Sequence, residues 1–139
     1  MKIEKSFYEN FLSSCTNAPP EIGGILGGNN DLITDIVIDN RMVVTKRAVY
    51  IPDIKFLNCI IEKWENDNIE FYGVFHTHIR DNTLSNDDRI NIEKIMGSMP
   101  KQVTKLYFPI VIPKKDMKVY AAERQNNKIN IFLDCLDII

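Results

Sequence analysis

Two apolar runs, EIGGILGG (21–28) and LITDIVID (32–39), stand three residues apart, and the turn-prone Asn29-Asn30-Asp31 fills the gap. Apolar β-formers around so short a polar link read as a β-hairpin. A hairpin this early commits the chain to a sheet, and later segments extend it. MVVTKRAVYI (42–51) continues the sheet until Pro52-Asp53 interrupts it. FYGVFHTH (71–78) is another β-rich run, and KLYFPIVI (105–112), KVYAAE (118–123) and KINIFLDC (128–135) close the chain.

Helical patterns separate these runs. Ile3, Phe7, Phe11 and Leu12 lie near helical spacing and predict a helix over 3–14, which Pro19-Pro20 prevents from continuing. Asp53 is placed to cap a helix over 54–67, with Phe56, Leu57, Ile60, Ile61 and Trp64 as its apolar face. RDNTLSNDD (80–88) reads as a polar loop, from which Ser85 opens a helix running to about Met99, before Pro100. The order of elements predicts an α/β fold, one domain over 1–139 with a central mixed β-sheet flanked by helices. Met96, Met99, Tyr107 and Phe108 are expected to pack in its core.

The chain has 139 residues, 45% of them hydrophobic, which suffices for a core without disulfide or metal staples. A net charge of -2 gives no global pull toward nucleic acid or anionic lipid. No apolar run approaches the roughly 18–20 residues that span a bilayer. The opening MKIEKSFYENF is interrupted by Glu4 and Glu9 and does not read as a signal peptide. Cys15, Cys59 and Cys135 are widely spaced and odd in number, so buried, reduced thiols and a cytoplasmic location are expected. Lys114-Lys115 reads as a solvated turn rather than a nucleic-acid patch.

The chemistry concentrates in His76-Thr77-His78. Residues i and i+2 of a strand share a face, so both imidazoles can reach one point in space. Two imidazoles and one carboxylate make a zinc site with a fourth position left for water. An HxH pair alone fits surface or core histidines equally well. Here, however, these are the only two histidines, and Ser85-Asn86-Asp87-Asp88 follows at a helix start, where the backbone dipole favours an anion. Ser85-x-x-Asp88 also resembles a capping box, and the two roles are compatible. Asp87 competes with Asp88 as the carboxylate ligand, and Asp81 is a further rival. Glu21 heads a strand carrying Gly23-Gly24 and Gly27-Gly28, and strand glycines mark close approach by a backbone or ligand. Its position alone fits a solvent-facing carboxylate just as well.

Glu21 ahead of a GGILGG strand, then His-Thr-His after an apolar strand, then a Ser-x-x-Asp helix start, resembles the JAMM metalloprotease family, also called MPN+ or JAB domains. The motifs span about residues 21 to 98, and strand order extends the similarity to the C-terminus. The resemblance implies a JAB/MPN layout, akin to that of cytidine deaminases, in its compact prokaryotic form. It implies Zn2+ held by His76, His78 and Asp88, with Glu21 as general base and Ser85 as hydrogen-bond donor to the oxyanion. It also implies an isopeptidase, or precursor processor, acting at the C-terminal tail of a ubiquitin-like modifier, in sulfur-carrier maturation or antiviral conjugation. Two departures fall in the loop after His78. Ile79–Leu84 is one residue shorter than in many members, and Ile79 stands where Pro is common. Rival expectations are a JAMM-type peptidase for unrelated proteins and a non-catalytic MPN scaffold. A zinc nucleobase deaminase would need His-x-Glu and Pro-Cys-x-x-Cys, and the chain has neither.

Overall fold

The computed structural model describes residues 1–15, 21–39, 50, 52–79 and 81–139. The Pro19-Pro20 helix stop and nearly all of the expected strand at 42–51 lie outside them. Among the described residues the order is β1 (Lys2–Ile3), α1 (Lys5–Ser14), β2 (Gly23–Asn29), β3 (Leu32–Asp39), α2 (Ile54–Asn66) and β4 (Glu70–Thr77). It continues with α3 (Asn86–Ser98), β5 (Lys105–Ile112), β6 (Asp116–Gln125), β7 (Lys128–Leu133) and β8 (Asp137–Ile138). The strands form one mixed, curled sheet in the order β7-β6-β5-β4-β2-β3-β1-β8. The chain is thus an α/β protein, as the order of its elements predicts.

The turns follow their residues. Asn29 pairs with Leu32, leaving Asn30-Asp31 as a two-residue turn with φ of 50° and 62°. Positive φ at both positions suits the right-handed twist of a hairpin, and Asn and Asp tolerate it. Asn126-Asn127 repeats the device between β6 and β7, with φ of 50° and 63°. Lys114 forms part of the exposed β5–β6 turn.

The helix expected from residue 3 begins at Lys5 instead. Lys2 and Ile3 are drawn into the sheet, where Ile3 pairs in parallel with Ile33 and with Ile138 and is fully buried. Its helical spacing to Phe7 is incidental to that pairing. Cys15 is buried as expected, whereas Cys59 and Cys135 are exposed, a correction to the expectation of three buried thiols. Cys59 lies on the outward side of α2, and Cys135 follows β7 where the chain leaves the sheet.

Helices cover both faces. On one, α1 packs Phe11 edge-on against Phe75, with ring centroids 4.7 Å apart. On the other, α2 brings Leu57 and Trp64 against Ile25, while α3 brings Ile92 and Met96 against Leu106, Phe108 and Ala122. Met99 packs beside them. β3 and β4 both run antiparallel to β2, and α2 and α3 begin near their ends, where the Asp53 N–H donates to Asp39 (2.8 Å) and Asp88 meets His76 and His78.

Gly73 marks the tightest backbone approach in β4. The β2–β4 register shifts there, and a Cβ at Gly73 would lie 1.8 Å from the Tyr107 main-chain oxygen on β5. No rotamer change relieves a clash with backbone. Gly73→Ala is expected to lower unfolding stability by roughly 3 kcal/mol or more, read by chemical denaturation.

Candidate metal centre

Gly23 pairs with His76 across the β2–β4 ladder. Carried two residues further, that antiparallel register sets Glu21 opposite His78, on the same face of the sheet. A double clip secures the extension: the Thr77 N–H donates to the Ile22 carbonyl (2.8 Å) and the Ile22 N–H donates to Thr77 Oγ1 (2.9 Å). Phe75 and Thr77 point toward the α1 face and are buried, so His76 and His78 point toward the α2/α3 face. Glu21 is half-buried. Its negative charge is among those that bear on His78.

The third group arrives with α3. Ser85 is its N-cap, and a capping box closes the first turn. The Asp88 N–H donates to Ser85 Oγ (3.1 Å), and the Ser85 N–H donates to Asp88 Oδ2 (2.9 Å). The same carboxylate faces both imidazoles, with Oδ1 3.2 Å from His76 Nε2 and Oδ2 3.3 Å from His78 Nε2. The two Nε2 atoms are 2.9 Å apart. Capping and facing the histidines are therefore one arrangement. Asp87 is exposed and outside this group, and Asp88 is the carboxylate that joins the histidines.

The Asp81 main-chain oxygen lies 2.9 Å from His78 Nδ1. A carbonyl can only accept, so Nδ1 carries the proton and the neutral ring keeps its lone pair on Nε2. That is the tautomer a metal ligand requires. Asp81 thus contributes through its backbone, while its side chain accepts from the Thr83 N–H and hydroxyl.

The donors are of the kinds that hold a metal ion such as zinc, and they lie close enough together to share one. Bonds of about 2.0–2.1 Å to a tetrahedral ion set neighbouring ligand atoms about 3.3–3.4 Å apart. Here the two Nε2 atoms are 2.9 Å apart, the carboxylate meets them through different oxygens (3.2 and 3.3 Å), and one donor atom from each residue lies within 4.8 Å of the others. Two imidazole nitrogens and a carboxylate oxygen are a zinc donor set with one position left over, and the three side chains remain 15–17% exposed.

Without metal, the charges settle among themselves. The hydrogen bond to Asp88 holds His78 protonated above its ordinary pKa; burial opposes this, and the charges of Asp88 and Glu21 add to it. Burial pushes the Asp88 carboxyl up, but the hydrogen bonds from His76 and His78 outweigh it and hold the group well below the usual carboxylate range.

Three contributors carry no recognisable signal in the sequence. Thr77 clips the strand bearing Glu21. Tyr50 lays its ring over Gly23, where a Cβ would lie 2.4 Å from the ring. The close approach expected from the strand glycines is therefore, at Gly23, that of an aromatic side chain. The Tyr50 hydroxyl donates to the buried Asp39 (3.0 Å), and burial followed by that carboxylate raises its pKa far above the ordinary value. The third contributor is the Asp81 carbonyl.

No family model and no curated protein matches the chain. Its fold is shared by solved structures. A protein of Desulfitobacterium hafniense, known from its solution structure, aligns with a TM-score of 0.65 and 16% identity over 99% of this chain and 93% of its own. A Salinibacter ruber protein aligns with a TM-score of 0.55 and 12% identity over 100% and 92%. At such identities the likeness concerns the fold alone.

The protonation states set opposite pH trends with and without metal. A raised His78 pKa stabilises the metal-free fold below the unfolded value of about 6.5, and that contribution fades as pH rises through the folded value. The depressed Asp88 contributes above about 3.9 and loses its share only in stronger acid. The metal-free wild type is expected to lose thermal stability between about pH 6 and pH 8, with a flatter profile for Asp88→Asn. A metal ion held by this triad would reverse the sign, because its ligands bind deprotonated and its stabilisation grows with pH. Calorimetry on the protein with chelator and with added zinc across this range reads both trends.

Proposed function

We propose that the chain is a zinc-dependent hydrolase of peptide or isopeptide bonds, of the JAMM type and with a JAB-like layout. One observation supports the reading: the His76, His78 and Asp88 donors lie within 4.8 Å of one another, and the β2–β4 register, continued two residues past Gly23, would bring Glu21 opposite His78. His76 Nε2, His78 Nε2 and the Asp88 carboxylate would hold the ion. Zinc bound there would supply Lewis acidity, polarising a substrate carbonyl and lowering the pKa of water toward neutrality.

The remaining roles belong to side chains. Glu21 takes the proton of the attacking water and returns it to the departing amine. The Ile22–Thr77 clip fixes the residue next to it against the strand that carries the histidines. Ser85 Oγ accepts the Asp88 N–H as a cap, which leaves its own hydrogen to donate toward the oxyanion of the tetrahedral intermediate.

For the substrate we infer the extended C-terminal tail of a ubiquitin-like protein, freed from a conjugate or a precursor. The motif resemblance supports this choice. An extended tail can lie along strand ends as an added strand, with main-chain hydrogen bonds giving affinity.

Metal analysis and a cleavage assay on a ubiquitin-like fusion test the reading together. Wild type and Glu21→Ala are both expected to bind about one zinc per chain. Cleavage is expected in the wild type and to fall by roughly a hundredfold to ten-thousandfold in Glu21→Ala. A wild type that takes up no zinc, or undiminished cleavage by Glu21→Ala, would falsify the mechanism. Bound zinc with every ubiquitin-like fusion left intact would keep the metal site and redirect the activity to unrelated proteins.

A further inference from the structure

Asn82 has no role in the chemistry above, yet it is gripped on both sides. The Tyr120 hydroxyl donates to the Asn82 main-chain oxygen (3.1 Å), and the Asn82 side-chain amide donates to Asp116 Oδ2 (3.1 Å). Both partners lie on β6, a paired strand of the sheet. Asp116 is itself fixed, since its other oxygen accepts the Met117 N–H (2.7 Å).

The grip matters through its neighbour. The Cα of Asn82 joins two planar peptide units. One presents its oxygen to Tyr120, and the other presents the Asp81 oxygen to His78 Nδ1. With one plane and the side chain fixed, rotation about the Asn82 N–Cα bond is the main freedom left to the other plane. Asp81 removes more of it by turning its carboxylate onto Thr83.

We propose that Tyr120 and Asp116 clamp Asn82 so that the Asp81 carbonyl stays against His78 Nδ1, making Asn82 and Tyr120 positioning residues for the metal triad. The carbonyl selects the Nδ1–H tautomer and aims the Nε2 lone pair at the space shared with His76 and Asp88. The inference rests on the zinc reading for its functional meaning, but the clamp itself is a property of the protein chain. Partners of this kind outside the ligand set typically change metal affinity about 10–100-fold.

Tyr120→Phe removes only the hydroxyl, and Asn82→Ala removes the contact to Asp116. The ring nitrogens of His78 are read by 15N–1H correlation spectra of the metal-free protein at alkaline pH. Zinc affinity is read by chelator competition, and site geometry by the visible spectrum after Co2+ substitution. The wild type is expected to show a single Nδ1–H form, and each variant a mixture of tautomers. Zinc binding should weaken about tenfold or more in each variant, with an altered Co2+ spectrum. Variants that lose thermal stability yet keep the wild-type tautomer, zinc affinity and Co2+ spectrum would overturn the proposal, leaving Tyr120 a packing residue. A wild type that binds no zinc, but whose His78 tautomer depends on Tyr120, would remove the hydrolase reading and leave the clamp standing.

Discussion

The site depends on the register between β2 and β4. Side chains alternate along a strand, so a slip of one residue would turn His76 and His78 onto the α1 face and Phe75 and Thr77 onto the other. Burial opposes that slip strongly. Phe75 is fully buried against Phe11, and a side chain of this size gains about 1.5–3 kcal/mol from leaving water. The histidines therefore owe their direction to the buried residues beside them, apolar Phe75 before and hydrogen-bonded Thr77 between. The same pairing, continued past Gly23 by the Ile22–Thr77 clip, is what sets a carboxylate opposite the second histidine.

Asp88 ties this strand end to α3 through one short side chain. A capping box more often uses Glu or Gln at this position. Asp reaches the Ser85 N–H while still lying against both imidazoles. The helix start and the metal donors thus share a group, and any movement of α3 along the sheet is felt at both. α3 is kept from moving by Ile92 and Met96, which are buried over β5 and β6 about one and two turns further on. The electrostatics agree with the geometry: the first turn of a helix is where a carboxylate is favoured.

Much of this was legible in the sequence because it is local. The β2–β3 hairpin, the apolar face of α2, the Ser85 start of α3 and the shared face of His76 and His78 each follow from residues within a few positions of one another. What escaped is long-range. β1 and β8 are two residues each and pair across more than a hundred positions, with no periodicity to reveal them. Tyr50 over Gly23 and the contacts of Asn82 to β6 depend on which strands become neighbours. Glu21 lies between these cases. The glycines after it mark only a close approach, and its role rests mainly on motif resemblance; the β2–β4 register adds a geometric reason.

The loop after His78 shows why its length has to be judged by geometry. Entropy barely registers one residue more or less, since even doubling a flexible loop costs only about 0.6 kcal/mol. In the folded chain the six residues Ile79–Leu84 must satisfy several fixed points in order. They must bring Asp81 back against His78, deliver Asn82 to β6, and release Ser85 where its cap can meet Asp88. An added residue between His78 and Asp81 would separate the carbonyl from the ring it orients. One added after Asn82 would leave that contact intact and displace the helix start instead. Six residues thus suffice for the site because the segment is anchored at its middle as well as at its ends.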